Sequence, residues 1–521
     1  MRRIFPGVAI AIALVVALPA GSAAATFTVT STGNNSDANV GNGVCKTSGS
    51  TGVCTLRAAI QEANATAAID TILFNVGGGG PQRIDIPASI PTITRPRIVD
   101  GWSQPGFLDV PLIEIHGSSV GDGLKITAGG TTIRGLIVNH FSGDGIYISG
   151  LGANILEGNY VGLTADGSAA DPNAETGIRL ESPNNRVGGR DPSQRNVISG
   201  NAGRDRMGGI MIVGPTATGN IIQGNFIGLD ATGMIGIGNE GRGVAIDEAS
   251  GNYIGGAQPG AGNLIAANRA TGVRIWGGTS TGNVVQGNWI GTNKAFEIKV
   301  GLFPEPDILS NARGVQSRGD GNYILENYIV GNTWDGVLFY DGTDKDFDPT
   351  AKSSHNLVYK NVIAWNGMNG IGAYVGRANW FISNSIYENV RLAIELGPEE
   401  LDGVSNNDLG DGDDGPNDMQ NYPVLTEARL TGATTTVTGT LNSGANKTYQ
   451  IQLFANNFCS PSGFGEAKYY IGDTSVTTNA SGNGTLNAVL NFAIPRGIVL
   501  TATAIDSEHN TSEVSRCVSV Q

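Results

Sequence analysis

Acids, arginines and aromatic rings recur at matched positions in a series of short segments, each opened by a Gly followed by Val or Ile. The markers stand at Gly145, Gly177, Gly209, Gly243, Gly272, Gly314, Gly336 and Gly370. If every marker opens the same strand of successive coils, side chains alternate inward and outward from it. One outward row then reads Tyr147, Arg179, Met211, Ala245, Arg274, Gln316, Leu338 and Gly372, and the next reads Ser149, Glu181, Val213, Asp247, Trp276, Arg318, Tyr340 and Tyr374. The second row has the content of a sugar-binding groove, with flat rings to stack on and charged groups to orient hydroxyls or move protons. Trp276, Tyr340, Tyr374 and Arg179 are the candidate substrate-binding residues. Glu181 and Asp247, two coils apart, would have strand positions separated by roughly 9–10 Å. That is the upper edge of the separation of about 6.5–9.5 Å that leaves room for water in an inverting glycosidase. Arg274 or Arg318 could instead act as the base of a β-eliminating lyase. The plain alternative is a row of solvated side chains on an exposed sheet, which accounts for single residues better than for three rings in one register.

A second constellation is acidic. Asp408, Asp411, Asp413, Asp414, Asn417 and Asp418 offer oxygen ligands separated by Gly, the composition of a calcium loop. The EF-hand pattern is incomplete, because Gly415 stands where a third alternating Asp would be and no Glu occupies the twelfth position from Asp411. A flexible interdomain linker is the competing reading. Asp341, Asp344, Asp346 and Asp348 form a further acidic run after Tyr340, a weaker candidate for ligand or substrate binding. Two familiar motifs are set aside. Gly236, Gly238 and Gly241 match G-x-G-x-x-G without the flanking strand and helix of a dinucleotide fold. Gly278, Ser280 and Gly282 match G-x-S-x-G without the following helix of a nucleophile elbow.

The elements that must position these residues are written in repeats. EGNYVG begins at Glu157, QGNFIG at Gln223 and QGNWIG at Gln286. Asn recurs at a spacing of five, as in Asn154/Asn159, Asn220/Asn225, Asn283/Asn288, Asn322/Asn327/Asn332 and Asn356/Asn361/Asn366. Strands of about three to five residues between such markers are too short for a sandwich of hairpins, and they suit coils. Asn and Gly tolerate the left-handed conformation of a sharp corner, and stacked Asn amides can hydrogen-bond in a ladder. Intervals of 22 to 42 residues between Gly markers fit one coil of a parallel β-helix with loops of varying length. Helical repeats are excluded by the missing helical period, and a propeller by the lack of four-strand blades.

Composition narrows the setting. The chain has 521 residues, 78 of them Gly, with 32 Lys and Arg against 46 Asp and Glu. Residues 1–25 read as a secretory signal: Arg2 and Arg3, an apolar run from Val8 to Leu18, then small residues through Ala25. Without its two arginines the mature chain carries a net charge of −16. Such a surface repels nucleic acid and anionic membranes. No later apolar stretch reaches the roughly 18 residues that span a bilayer as a helix. Cys45, Cys54, Cys459 and Cys517 are then expected to form disulfides in an oxidising compartment, and local pairing of Cys45 with Cys54 and Cys459 with Cys517 is preferred among the three connectivities. Metal binding by these thiols is disfavoured, since no C-x-x-C occurs and the four His are far apart in sequence.

The cysteine-loop-helix CTLRAAIQEAN from Cys54, the DGWSQPG turn from Asp100, the acidic GDGDDGPNDMQNYPVL from Gly410 and the closing DSEHNTSE from Asp506 together resemble exported bacterial right-handed parallel β-helix repeat proteins with a CSLREA-type N-terminal domain. The resemblance departs at Thr55 and Ala58, where that family has Ser and Glu. It implies a pectin-lyase-like coil architecture and no particular activity. The expected organisation is a signal peptide at 1–25, an N-terminal helical cap region at 26–108, a parallel β-helix at 109–402, a linker at 403–422 and an antiparallel β-sandwich at 423–521. The function expected is a secreted or surface protein that binds an extracellular polysaccharide, with lyase or glycosidase cleavage open and calcium as the candidate cofactor. The alternative is a non-catalytic, adhesin-like protein whose coils are a rigid spacer.

Overall fold

The computed structural model describes residues 23–49, 52–118, 120–204, 207–299, 309–340, 353–397 and 403–521. Most of the expected signal segment and the acidic run Asp341, Asp344, Asp346 and Asp348 lie outside the described residues. Three long parallel sheets of 12, 11 and 10 strands run the length of the coiled part. One coil visits each in turn: Ile146–Ile148 in the third sheet, Ile155–Glu157 in the first and Tyr160–Val161 in the second, before Ile178–Leu180 returns to the third. This is a parallel β-helix, right-handed as parallel crossovers are.

Each coil turns inward a small set of branched apolar residues. Ile178, Leu180, Val187 and Ile198 are fully buried, and Ile210, Ile212, Ile222 and Ile227 repeat them one coil on. Every such side chain contributes about 1.5–3 kcal/mol of burial. The corners are made of asparagine. In the corner between the third and first sheets, the Nδ2 of Asn154 donates to the Oδ1 of Asn185 at 2.9 Å, and Asn185 to Asn220 at 2.9 Å. Between the first and second sheets Asn159, Asn196, Asn225, Asn263 and Asn288 are linked likewise at 2.9–3.0 Å. The corner between the second and third sheets stacks Asn173, Asn201, Asn239, Asn268 and Asn311. The same Oδ1 usually accepts a main-chain N–H as well, as when Asn225 N donates to Asn263 Oδ1 at 3.0 Å. The residue before the corner Asn is left-handed: Gly158, Gly224 and Gly287 in earlier coils, then Glu326, Lys360 and Ser383 at φ 53°–54° in later ones.

Both ends of the coil stack are covered. Strand Thr26–Val29 pairs in parallel with Asp70–Phe74, which pairs with Arg97–Asp100, so coiling starts well before residue 109 and region 26–108 is not a separate cap. Helix Leu56–Ala65 lays Leu56, Ala59, Ile60 and Ala63 on that first coil. Thr55 caps it by accepting from Ala58 N at 3.1 Å, so the helix stands without the Glu of a capping box. At the far end, two antiparallel sheets of three and four strands from Val424 to Ser519 form the sandwich. It presents side-chain acceptors to the last coil's open edge: Gln452 takes Ser383 N at 2.7 Å, Thr511 takes Phe381 N at 2.9 Å and Glu513 takes Leu396 N at 3.0 Å. Residues 403–422 are built into this junction, because Asn417 accepts from Asn379 N at 3.0 Å and extends a corner ladder. The disulfides Cys45–Cys54 and Cys459–Cys517 both form.

Two checks follow from this architecture. Replacing Asn225 by Ala orphans buried donors and acceptors in two neighbouring coils and is expected to cost about 2–3 kcal/mol in denaturant unfolding. Glu466 and Glu513 sit at the sandwich junction, where burial pushes both carboxyls up to about 7. A folded-state value above the unfolded one means that these groups contribute stability at low pH that is lost as pH rises through about 7. Stability measured from pH 5 to 8 should therefore fall, by up to about 1.4 kcal/mol per pH unit for each group, and Glu466→Gln should flatten part of that slope.

Candidate functional site

The strand register places the expected outward row of the third sheet as one ladder. Tyr147 pairs with Arg179, Arg179 with Met211, Met211 with Ala245, Ala245 with Arg274, Arg274 with Gln316 and Gln316 with Leu338. In the neighbouring row Val213 pairs with Asp247 and Asp247 with Trp276. Arg318 and Tyr374 continue it through main-chain N–H bonds to Ile275 O and Phe339 O, both at 2.9 Å.

Two environments divide this face. At one end Glu181 is half-buried, with Tyr147 donating its hydroxyl at 2.6 Å and Arg179 its Nε at 2.9 Å. Lys125 and Arg179 both lie over the Tyr147 ring, at 4.8 and 5.4 Å from its centroid. Burial, and then Glu181, push the Tyr147 phenol up. Nearby Asp144, which the sequence reading passed over, is raised to about 6 chiefly by burial. In the middle of the face the expected exposed platform is absent. Trp276 is 4% exposed, Asp247 2%, Arg274 3% and Arg318 0%. The Arg274 and Arg318 guanidinium carbons lie 3.5 and 4.4 Å from the Trp276 ring centroid. An indole with two guanidinium groups against it satisfies cation–π attraction and shields the ring, so Trp276 does not offer a free face to a sugar. Farther along, half-buried Tyr340 and Tyr374 meet edge to face at 6.5 Å. The reachable residues are thus Tyr147, Arg179, Glu181, Tyr340 and Tyr374, while Asp247, Arg274, Trp276 and Arg318 form a shielded group between them.

The six acidic-segment ligands do not converge as a set. Asp408, Asp411 and Asp413 bring carboxylate oxygens within 4.8 Å of one another. Arg377 takes Asp414 and, at 2.8 Å, Asp418. Asn417 is committed to the corner ladder with Asn379 and to Thr511 O. Asp411 accepts from Asn421 N at 2.7 Å and Gln420 Nε2 at 2.8 Å, and is raised to about 6, first by burial and further by Asp408 and Asp413.

Two of the histidines, distant in sequence, are neighbours in space because one coil separates them. His116 and His140 stack with centroids 4.4 Å apart and planes 16° from parallel, and Asp171 lies 2.7 Å from His140 Nδ1 and 3.7 Å from His116 Nε2. Near-parallel ring planes do not intersect at one point, and an imidazole binds metal in its own plane, so this stack is not arranged to chelate a single ion. Burial, then the Arg83 charge, lower the His116 imidazole. No signal in the sequence short of the coil register marks this pair.

No family model matches the chain. Among solved structures it is similar to the A-module of the Azotobacter vinelandii mannuronan C-5 epimerase AlgE4, at 13% identity and a TM-score of 0.39 over 66% of this chain and 94% of that one. It is also similar to the enzymatically active domain of bacteriophage CBA120 tailspike protein 2, at 10% identity and a TM-score of 0.33 over 88% and 73%, and to pectate lyase Pel9A, at 13% and 0.29 over 69% and 80%. The shielding of Trp276 has a direct check. Trp276→Ala should cost about 3–5 kcal/mol in denaturant unfolding, as for a core aromatic, where an exposed platform would cost about 0.5 kcal/mol or less. By its own strand register the chain is a parallel β-helix protein, and what it binds has to be argued from its side chains.

Proposed function

We propose that the chain is an exported β-helix protein of the CSLREA-type group that holds an extracellular polysaccharide, with the third sheet as its catalytic face if it cleaves. The observation that carries this reading is the gathering of charged and aromatic residues in two adjacent rows on the outside of that sheet, with Tyr147, Arg179 and Glu181 at one end, Asp247 and Trp276 in the middle and Tyr340 and Tyr374 beyond, Met211, Ala245 and Val213 standing between them. A core does not need such a row, and buried charge on an outer face is costly unless it is used or paired. Glu181 is the acid a substrate can reach. Tyr147 and Arg179 fix its orientation, which suits a carboxylate that works in its charged form. Asp247, Arg274 and Arg318 support the site by their field while they remain shielded. A glycosidase using Glu181 and Asp247, or a lyase using Arg274 or Arg318 as base, requires those groups to meet the sugar. The burial of Asp247, Arg274 and Arg318 favours the second reading, of binding without turnover, as in an adhesin-like surface protein.

For calcium, the donor set supports a site of three carboxylates, Asp408, Asp411 and Asp413, in which hard oxygen ligands match a hard cation. A cation there would relieve the repulsion that helps raise Asp411. Because a ligand carboxylate must be ionised, calcium should bind more tightly as pH rises through about 6 and should raise the melting temperature.

The experiment is a panel of neutral and acidic glycans scored for binding and for new reducing or unsaturated ends, with and without a chelator. Products that Glu181→Gln abolishes support the catalytic form, and binding without products supports the surface-protein form. No binding to any glycan contradicts both.

A further inference from the structure

We propose that the outer face of the first sheet is a second glycan-holding surface, fitted to a single uncharged chain of β-1,4-linked sugars lying along the helix axis. It takes from the proposed function that the ligand is a polysaccharide, and it adds a face and a chemistry different from those of the charged third-sheet rows.

Five successive strands build this face: Ile221–Gln223, Tyr253–Gly255, Val284–Gln286, Tyr323–Leu325 and Leu357–Tyr359. The middle residue of each is fully buried in the coil core, so the first and third point outward and form two rows. None of the outward residues is charged, in a chain whose net charge is −14. The face is bounded at both ends. Before it Arg186 is paired with Glu157 at 2.8 Å, and beyond it the Trp380 ring is stacked on His509 of the sandwich at 4.3 Å.

Two rings rise from this strip. Tyr253 is 49% exposed and Tyr323 41%, and no other ring, cation or side-chain hydrogen bond engages either one among the described residues. Trp276 is closed by two guanidinium groups and Phe226 by Arg195, whereas these tyrosines have no such cover. Both directly follow a corner asparagine, Asn252 and Asn322, whose ladder bonds fix the start of each strand. Gly255 stands beside Tyr253 in the second row, and half-buried Val284, smaller than either ring, stands between them. Tyr359 is not part of the platform, because Lys360 lies over its ring at 5.0 Å.

Spacing and chemistry select the occupant. Tyr253 pairs with Val284 and Val284 with Tyr323, so the rings are two coils apart, roughly 9.6 Å along the axis. Gln223 and Gln286 lie in the alternate coils, so ring and amide follow one another with the same period. A β-1,4-linked pyranose chain turns each sugar over relative to the last and presents the same face at every second residue, at close to that distance. Its axial C–H groups suit the tyrosine faces, and its equatorial hydroxyls point sideways toward the amides. Gln286 spends one amide hydrogen on Glu326 at 3.0 Å and keeps its carbonyl and its other hydrogen. With no cation among the outward residues, the strip offers a uronate nothing to pair with. Its size argues against a second copy of the chain: the strip spans roughly 19 Å by 7 Å between outermost strand positions, an area on the order of 200 Å², against about 800 Å² per partner in a stable interface. A peptide is disfavoured because a sheet face, unlike a sheet edge, pairs none of its main-chain groups.

The test is calorimetry on the full chain with cellohexaose, using maltohexaose and a hexauronide as controls of linkage and charge. Cellohexaose is expected to bind, and maltohexaose, whose α-linkage curves the chain off the strip, to bind about tenfold more weakly. The first and third sugars of a chain meet the two rings, so affinity should step up from cellobiose to cellotetraose, and Tyr323→Ala should erase the step. Tyr253→Ala and Tyr323→Ala should each weaken cellohexaose about three- to tenfold, the size of one aromatic contact. Tyr253→Phe keeps the ring and should retain binding. Both sites are exposed, and an unchanged melting temperature checks that the variants fold. Equal binding of maltohexaose, cellohexaose binding that neither tyrosine affects, or hexauronide binding without cellohexaose binding overturns this surface and leaves polysaccharide binding at the third sheet standing. A dimer that Tyr253→Ala dissolves in sedimentation, with no cellohexaose bound, gives the face to a second copy and overturns it as well. Absence of binding to any glycan removes the general reading and this surface together.

Discussion

The amide-to-amide hydrogen bond between asparagines of successive coils is the constraint on which the other features depend. A parallel coil of strands from two to six residues long must turn a corner three times per turn, and every corner removes main-chain groups from the sheets. From Asn154 onward the corners hold one Asn inside, its Oδ1 accepting from the neighbouring coil and its Nδ2 reaching the next, as Asn196, Asn225 and Asn263 show. Apolar burial supplies most of the folding energy and already opposes a slip of one residue, which turns the apolar set outward. The ladders add to this, because any slip, including one of two residues that keeps the apolar set inside, replaces a satisfied buried amide by an orphan.

Fixed register makes the outer faces useful. Once the corners lock, a side chain at one strand position stands about 4.8 Å from its counterpart in the next coil, and rows form without further design. The third-sheet row has become a shielded charge cluster around Trp276 flanked by reachable tyrosines and Glu181. On the first sheet, an uncharged strip leaves Tyr253 and Tyr323 exposed two coils apart. The stack needs termination, and the helix Leu56–Ala65 and the sandwich do this by different means. One covers the first coil with apolar residues, and the other offers side-chain acceptors to the N–H groups of the last.

Much of the fold was legible because its determinants are local. The spacing of five between asparagines is the length of one short strand with its corner, and the Gly markers fall on the third-sheet strands, as expected. Even so, the left-handed position before the corner Asn is held by Glu326, Lys360 and Ser383 in later coils, where no glycine marks it. The start of coiling was misplaced because the first strands, such as Thr26–Val29 and Asp70–Phe74, are separated by a disulfide loop and a helix that interrupt the repeat. Site residues were legible as positions and not as environments. That Arg274 and Arg318 close on Trp276 depends on rotamers, which alternation does not determine. Asp414 and Asp418 are claimed by Arg377, distant in sequence, and His116 meets His140 only through coil length.

Hydrogen exchange resolved to single amides tests the central claim most directly. If the corner ladders hold the coils in register, the main-chain N–H groups of Asn196, Asn225, Asn263 and Asn288, though they lie in turns, should exchange as slowly as those of the strands beside them. Exchange of these corner amides at the rate of ordinary loops, with protection confined to the strands, would contradict it.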